Sequence, residues 1–283
     1  MDFGEGSLDM TTPLAGKTGV IIGAANRDNM AQVIARRLAD DGVRLIVAGR
    51  GRDELERFAG EIDGFAAVCD ITRREEIDSL AADARGRFGE VDVVVNATGW
   101  GLLKPFALTT EAELRRMADL QFIGPFQFFQ AMLPIMRRGS SLIQISSATA
   151  TIMLDNHAAY MGTKAGLDHV VRCIANEYGH LGIRANSVSP GITATPMGVG
   201  AKGIPGVWEA YEKRYPLGRT GTAEDIAEAV AWLANDRCFM TGQNLQVNGG
   251  LTLRGNPSAA EVDAAAIAAT GKPRPRPWEV AEA

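Results

Sequence analysis

The sequence is poor in the residues that build metal clusters and disulfide frameworks. Its 283 residues include only three cysteines and three histidines. Cys69, Cys173 and Cys238 have no metal-like spacing, so no metal site is predicted. We expect all three cysteines to be small buried hydrophobic residues of a protein in the reducing cytoplasm.

Long apolar runs and clusters of positive charge are also missing. No run approaches the roughly 18 apolar residues that a membrane span needs, and the acidic N-terminus lacks the hydrophobic segment of a secretory signal. The net charge is −5 and the charges are scattered, without the basic stripe typical of nucleic-acid binding. We therefore expect a cytoplasmic protein with neither a membrane nor a nucleic acid as its partner.

Short strands alternating with helices are what the sequence has in abundance. Residues are 46% hydrophobic, and β-branched runs such as TGVIIGAA, RLIVAGR and VDVVVNATG alternate with helix-like segments. This order predicts an α/β fold: a single Rossmann-type doubly wound parallel sheet of about seven strands with helices on both faces. The predicted organisation is an N-terminal arm over 1–15, this domain over 16–253, and a partly irregular C-terminal extension over 254–283 that includes a short helix, AAEVDAAAIAAT.

Two segments depart from regular structure. A long helix begins with the capping-box pair Thr110 and Glu113, and Pro125 is expected to bend or interrupt it. The span Ile192–Tyr215 is expected to be a looser, mobile lid because of its glycines, which are Gly198, Gly200, Gly203 and Gly206.

The segment SSATATIMLDNHAAYMGTKAG over 146–166 carries the chemistry. If a helix runs from about Ala158 to Tyr178, Tyr160 and Lys164 lie on one face, one turn apart. A free phenol has a pKa of about 10, and a neighbouring ammonium is expected to lower it. Ser147, at the end of the buried strand SLIQIS, brings a hydroxyl next to that phenol. Together these residues predict proton transfer to or from an alcohol or carbonyl oxygen.

A dinucleotide is the predicted cofactor. It is expected beyond the carboxyl ends of the strands, at the turn GAANRDNMA. The usual three-glycine pattern is missing there, because Asn29 and Ala31 follow Gly23 where small residues are wanted. After the second strand, Arg50 replaces the acidic residue that binds a ribose 2′-hydroxyl, and Arg27 adds a second positive charge. We therefore favour NADP(H) over NAD(H).

Together these motifs resemble the short-chain dehydrogenase/reductase family over about Leu14 to Leu253. The shared segments are GKTGVIIGAA, CDIT, NATG, ISS, YMGTK, SVSPGITATPM and GRTGTAEDIAEAVAWLAND with MTGQNLQVNGG. The resemblance implies hydride transfer between nicotinamide and a carbonyl or alcohol carbon, with Tyr160 as general acid/base. It implies that Lys164 also binds the nicotinamide ribose and that Ser147 donates to the substrate oxygen. At the position of the family's relay Asn stands Gln121, which is expected to hold a relay water.

The resemblance also implies a set of cofactor-binding residues. Asp70 matches the residue that holds the adenine amino group, and Pro190, Gly191, Ile192 and Thr195 match those that line the nicotinamide. The full predicted set is Gly23, Arg27, Asn29, Met30, Arg50, Asp70, Ile71, Asn96, Ala97, Gly99, Tyr160, Lys164, Pro190, Gly191, Ile192 and Thr195.

The first loop departs from the common pattern and resembles that of enoyl-acyl-carrier-protein reductases, although those enzymes place Tyr and Lys farther apart. An enoyl-thioester reductase is therefore the alternative, and a non-catalytic dinucleotide-binding regulatory protein is a second one.

The predicted substrate pocket is almost entirely apolar and has no Arg or Lys to bind a carboxylate or phosphate. Its residues are Trp100, Leu102, Met153, Leu154, His157, Met197 and Trp208. The prediction is an NADP(H)-dependent oxidoreductase that interconverts a hydrophobic, cyclic or aromatic, ketone and its secondary alcohol. The family resemblance and the apolar segment FIGPFQFFQAML further suggest a homotetramer or homodimer.

Overall fold

The computed structural model describes residues 14–193, 203–276 and 278. Seven strands form one parallel sheet in the order β3-β2-β1-β4-β5-β6-β7. The strands are β1 Thr18–Ile22, β2 Arg44–Gly49, β3 Phe65–Val68, β4 Val91–Asn96, β5 Met136–Ile145, β6 Arg184–Pro190 and β7 Asn244–Val247. The predicted doubly wound sheet is confirmed.

Helices cover both faces of this sheet. They are α1 Met30–Asp40, α2 Arg52–Glu61, α3 Arg74–Phe88, α4 Glu111–Ala118, α5 Gly124–Met132, α6 Ala158–Tyr178, α7 Val207–Glu212, α8 Ala223–Ala234, α9 Leu251–Arg254 and α10 Ala259–Thr270. None of the helices in the described ranges combines the length and hydrophobicity required to traverse a bilayer.

Alternating side chains of each strand supply two separate cores. Ile21 of β1 packs with α1, α2 and α8, whereas Val20 and Ile22 pack on the opposite face with α3, α5 and α6. All six residues of β4 are buried, as expected for a strand covered on both faces.

Polar caps fix where several helices begin. The capping box of Thr110 with Glu113 starts α4, and Thr222 with Asp225 forms the same arrangement at α8. A third box joins Ser258 to Glu261 at the start of α10. Each box satisfies backbone N–H groups that have no partner within the helix.

The predicted long helix is interrupted, but just before Pro125 rather than at it. Between α4 and α5 the chain forms a π-helical turn over Asp119–Ile123. Proline has no N–H to donate to the carbonyl four residues earlier, which is that of Gln121, so the regular hydrogen-bond ladder fails at this turn.

Three other expectations need correction or restriction. Cys173 is exposed, because it lies on the outer face of α6, while Cys69 and Cys238 are buried as predicted. The lid segment contains a short helix, α7, which is too brief to be detected by periodicity. The lid residues at 194–202 lie outside the described residues.

Candidate active site

The strand order reverses between β1 and β4, which lie side by side. Ile22 pairs with Ala48 on one side and with Asn96 on the other. Gly23 follows with a positive φ of 113°, and a Cβ there would lie 2.8 Å from the backbone of Ala97. Only glycine fits this close approach. The site expected for a dinucleotide is therefore formed where these two strand ends meet.

The loop between β1 and α1 is held by amide side chains rather than by further glycines. Asn29 caps α1 by accepting from Gln32 N at 3.0 Å, and its Nδ2 donates to Gly23 O at 2.7 Å. Buried Gln32 donates to Ala24 O and accepts from Asp28 N, both at 2.9 Å. Sequence reasoning missed Gln32, although a polar residue between apolar Ala31 and Ile34 was a signal of its burial. Met30, next to the cap, packs against the core.

Two arginines and an aspartate border the far side of this loop. Arg50 is exposed directly after β2, and Arg27 is exposed within the loop. Burial opposes ionisation of Asp70, but hydrogen bonds from Thr72 and the charge of Arg50 hold the pKa of Asp70 below its usual value. The side chain of Ile71 lies in the core, so only its backbone can face a ligand.

Asn96 has a structural role that the sequence did not indicate. It is fully buried, and its Nδ2 donates to Gln144 Oε1 at 2.7 Å, joining β4 to β5. Its Oδ1 accepts from Thr98 N at 3.1 Å and so shapes the loop that leads to Gly99. Asn96 therefore supports the predicted cofactor site indirectly, because its side chain holds the backbone of Thr98.

Tyr160 and Lys164 lie near the start of α6, whose predicted bounds are confirmed. Lys164 is 3% exposed, and its Nζ donates to Ile145 O at 2.9 Å. The same Nζ lies 5.6 Å from the centroid of the Tyr160 ring. A charged group this deeply buried, beside a phenol at the carboxyl edge of a parallel sheet, is typical of an active site.

The expected lowering of the phenol pKa is wrong for this structure. Burial raises the pKa of Tyr160, while the Ser147 side chain opposes that rise and the charge of Asp168 adds to it. Burial also lowers the pKa of Lys164 to about 8, although the negative charge of Asp168 acts to raise it. Loss of solvation is the largest of these effects on Tyr160 and outweighs the hydrogen bond from Ser147, so Tyr160 is protonated at neutral pH.

Ser147 follows β5 and faces the same site. It caps a short 3-10 turn over Ala148–Ala150, and its Oγ lies 2.9 Å from Thr149 Oγ1 and accepts from Thr149 N at 3.2 Å. These contacts fix the direction of its hydroxyl next to Tyr160.

Gln121 does not reach Lys164. It is buried in the π-helical turn, where its Oε1 accepts from Trp100 N at 3.0 Å. Its Nε2 donates to Thr163 Oγ1 at 3.1 Å, and Thr163 Oγ1 donates to Tyr160 O at 2.8 Å. The amide thus connects the loop after β4 to α6. The expected water relay to Lys164 stays a prediction.

Asp168 was missed by sequence reasoning. It lies one turn after Lys164 on α6, and its Oδ2 accepts from Ser146 Oγ at 2.8 Å and from Asn244 Nδ2 at 2.6 Å. Further amide bonds at 3.0 Å continue along β7 through Gln246 to Asn248. The alternation of these three amides, along β7 and one residue past its end, was the available signal.

The residues predicted to line the nicotinamide begin at the end of β6. Pro190 is buried and pairs with Val247 of β7, and a Cβ on Gly191 would collide with the hydroxyl of Tyr215. Tyr215 donates to Ile192 O at 3.3 Å and thereby holds this turn. The predicted residues Thr195 and Met197 lie outside the described residues.

The predicted substrate residues are brought together only in part. His157 stacks on Tyr160 with ring centroids 4.3 Å apart, and its Nδ1 lies 2.7 Å from Leu102 O. Trp100 lies under the guanidinium of Arg116, at 4.2 Å from the ring centroid, so a cation absent from the predicted pocket borders it. Met153 is 73% exposed and does not join the others.

The C-terminal extension packs on the same protomer, beside the lid. Val262 and Ala266 of α10 are buried against Val207 and Tyr211 of α7. Leu154 packs on this cluster, while Trp208 of α7 donates its Nε1 to Glu212 Oε1 at 3.1 Å. The extension therefore supports the helix that carries a predicted pocket residue.

Comparison with known proteins agrees with this arrangement. A family model described as Enoyl-(Acyl carrier protein) reductase matches residues 23–252, which is most of the chain. A 3beta-hydroxysteroid dehydrogenase from Eggerthella lenta is 32% identical over 259 residues, covering 86% of this chain and 97% of that protein. The chain belongs to the short-chain dehydrogenase/reductase family.

Other members of this family broaden the comparison. A D-threitol dehydrogenase from Mycolicibacterium smegmatis is 29% identical over 258 residues, covering 88% of this chain and 98% of that protein. The structure of a 3-ketoacyl-(acyl-carrier-protein) reductase from Brucella melitensis, complexed with NADH, matches with a TM-score of 0.78 and 26% identity, covering 84% of this chain and 99% of that one. The short-chain dehydrogenase/reductase described here is thus an oxidoreductase that acts on CH–OH or C=O groups. This sets the non-catalytic alternative aside.

The family binds NAD(P)(H), and the residues of this site fit such a group. The positive φ of Gly23 leaves no Cβ between the ends of β1 and β4. The start of α1 points its free N–H groups toward the same loop, and exposed Arg50 and Arg27 supply positive charge.

Proposed function

We propose that this protein is an NADP(H)-dependent oxidoreductase that interconverts a hydrophobic, cyclic or aromatic, ketone and its secondary alcohol. The observation that carries the proposal is buried Lys164 beside half-buried Tyr160 at the carboxyl edge of the sheet, with Lys164 Nζ donating to Ile145 O at 2.9 Å. Such a pair has no evident structural purpose, since burying an ammonium is costly.

Each catalytic side chain has one task in this proposal. A bound nicotinamide would supply or accept the hydride. Tyr160, protonated at neutral pH, donates its proton to the substrate oxygen during reduction and regains it from bulk solvent afterwards. Ser147 donates a hydrogen bond to the same oxygen, where negative charge develops. Lys164 binds the nicotinamide ribose and contributes positive charge, while Gln121 fixes the position of Tyr160 through Thr163.

The cofactor preference is proposed from charge. Arg50 stands directly after β2, where an acidic residue would select a ribose 2′-hydroxyl, and Arg27 is exposed in the first loop. A guanidinium binds a phosphate through two parallel hydrogen bonds. The remaining contacts are assigned to Asp70 for the adenine, and to Gly191 and Ile192 for the nicotinamide.

The substrate class is proposed from the pocket. Trp100, Leu102, Leu154 and Trp208 offer mainly apolar surface, which favours a neutral hydrophobic substrate. Arg116 lies on the outer face of Trp100 and is exposed, so it neutralises no buried charge. The named relatives act on substrates as different as a hydroxysteroid and threitol, so their names alone do not decide the substrate.

An enoyl-thioester reductase is the second candidate. It is favoured by the description of the matching family model and by the loop GAANRDNMA. Against it stands the short interval between Tyr160 and Lys164, which lie one helical turn apart.

The two candidates are separated by initial rates with NADPH on an aromatic ketone, acetophenone, and on crotonyl-coenzyme A. The proposal expects ketone reduction at the higher kcat/KM. Faster reduction of the crotonyl thioester would contradict it and would favour the enoyl reductase.

We further propose an assembly of two or four subunits in the cytoplasm. Exposed apolar side chains near α4 and α5, namely Leu114, Ile123 and Phe126, support a subunit contact. Buried Cys69, whose pKa burial raises to about 12, is compatible with a reducing compartment. Light scattering after size exclusion tests the assembly, and a monomer mass near 30.1 kDa would contradict it.

A further inference from the structure

His157 has a fixed protonation pattern beside the catalytic ring. Its Nδ1 lies 2.7 Å from Leu102 O. A carbonyl oxygen only accepts hydrogen bonds, so Nδ1 carries the proton. Burial lowers the pKa of His157, which keeps the ring neutral at neutral pH. Its other nitrogen, Nε2, is therefore an unprotonated acceptor.

This acceptor is open. Within residues 14–193 and 203–276, no group donates to His157 Nε2, and the atom is not among the buried polar atoms that lack a partner. It is thus accessible to solvent or to a ligand. An accessible acceptor next to a catalytic phenol is a polar group placed for specificity.

The position of the imidazole is set by its stacking on Tyr160. The two rings are 4.3 Å apart between centroids and inclined by 29°. His157 is also the residue that precedes the first turn of α6. The helix and the bond to Leu102 therefore hold the imidazole against the ring whose hydroxyl faces the reacting oxygen.

We infer that His157 Nε2 accepts a hydrogen bond from a second hydroxyl of the substrate, on the carbon next to the reacting one. The preferred substrate is therefore an α-hydroxy ketone, or the corresponding vicinal diol, on a hydrophobic framework. This rests on the proposed ketone–alcohol chemistry and narrows its substrate class. A ketone without that hydroxyl leaves Nε2 without its partner, and the loss of one hydrogen bond corresponds to about fivefold to tenfold in kcat/KM.

The test compares 2-hydroxyacetophenone with acetophenone, both with NADPH. The measured quantity is the ratio of their kcat/KM values, in wild type and in His157→Phe. Because the hydroxyl also alters the intrinsic reactivity of the ketone, only the change in the ratio between the two proteins is informative. We expect His157→Phe, which keeps an aromatic ring to stack on Tyr160, to lower the ratio about fivefold to tenfold.

Two further variants complete the design. His180→Phe removes a similar Nδ1 contact, 2.8 Å from Glu177 O, at the opposite end of α6, and should leave the ratio unchanged. His157→Gln retains an acceptor oxygen, so its ratio of kcat/KM values should fall less below that of wild type than the ratio of His157→Phe does. Circular dichroism confirms that each variant is folded.

The outcomes separate this inference from the proposed function. Reduction of both ketones with the same ratio in wild type, His157→Phe and His157→Gln would overturn the role of His157 and leave the ketone chemistry standing. Absence of turnover of either ketone by wild type would contradict the proposed function, and the inference with it.

Discussion

Lys164 and Asp168 lie one turn apart on α6, and the charge of each favours the charged form of the other. Burial lowers the pKa of Lys164 to about 8, and Asp168 opposes this shift. Burial raises the pKa of Asp168, and the charge of Lys164 is among the effects that oppose it. Asp168 therefore sustains the charge of Lys164 near neutral pH.

Replacing this carboxylate should move the pH dependence of ketone reduction. Below its pKa of about 8 Lys164 is charged, so kcat/KM in wild type should be level at neutral pH and fall as pH rises through about 8. Asp168→Asn removes the opposing charge, and the fall should begin at lower pH. Glu177→Gln, the same charge change on an exposed site of α6, should not move it. An unshifted profile in Asp168→Asn would show that Asp168 does not act on Lys164.

Alcohol oxidation should have the opposite pH dependence. Oxidation needs the phenolate of Tyr160, and burial raises the pKa of that group. The phenolate fraction, and with it kcat/KM, should therefore increase about tenfold per pH unit at neutral pH and level off once Lys164 begins to lose its charge. The check is a pH–rate profile with 1-phenylethanol and NADP⁺. A maximum at or below pH 7 would mean that the phenol is acidified, as the sequence alone suggested.

Arg50 should determine the choice of cofactor. Loss of a charged hydrogen bond to a 2′-phosphate costs about 1.5–3 kcal/mol, or about tenfold to hundredfold in kcat/KM. Arg50→Ala should therefore reduce kcat/KM for NADPH by that factor and leave the value for NADH nearly constant. Arg52→Ala is the matched control, because Arg52 is also exposed and pairs with Glu56 at 3.4 Å. Equal losses with both cofactors would contradict the assignment.

Gly206 directly precedes α7 and packs against the C-terminal extension. Its φ is 82°, and a Cβ there would collide with the carbonyl of Ala265 in α10. Gly218 has a similar φ of 74° but no atom within 4 Å of such a Cβ. Gly218→Ala should cost about 1 kcal/mol through backbone strain alone, lowering Tm by about 2–4 °C.

The corresponding change at the contact should do more. Gly206→Ala carries the same backbone strain and also pushes α7 away from α10, so it should lower Tm further and raise KM for the ketone. Calorimetry and steady-state kinetics on the two variants measure both effects. Identical behaviour of Gly206→Ala and Gly218→Ala would show that packing against α10 has no part in shaping the pocket.

Local patterns in the sequence were sufficient for most of the fold. The runs around Val93 and Ile143 are apolar on both faces, which only a covered parallel strand explains. The capping pair of Thr110 and Glu113 marked the start of α4 to the residue. The spacing of Tyr160 and Lys164 placed both on one face of α6.

Features that depend on contacts between distant segments could not be obtained in the same way. Whether Asp168 meets Asn244 depends on β7 lying beside β6, which no local pattern specifies. The raised pKa of Tyr160 follows from packing density around the ring, while the sequence shows only the neighbouring charge. The hydrogen bond that Gln121 accepts from Trp100 N likewise depends on the π-helical turn, which sets the direction of the Gln121 side chain.

The central claim is that the hydroxyl of Tyr160 transfers the proton while hydride moves. It is tested most directly by Tyr160→Phe, measured for acetophenone reduction and, by fluorescence titration, for NADPH binding. The account predicts at least about a hundredfold loss of kcat, since general acid catalysis contributes about that much or more, with NADPH affinity nearly unchanged. Reduction by Tyr160→Phe at the wild-type rate would contradict it.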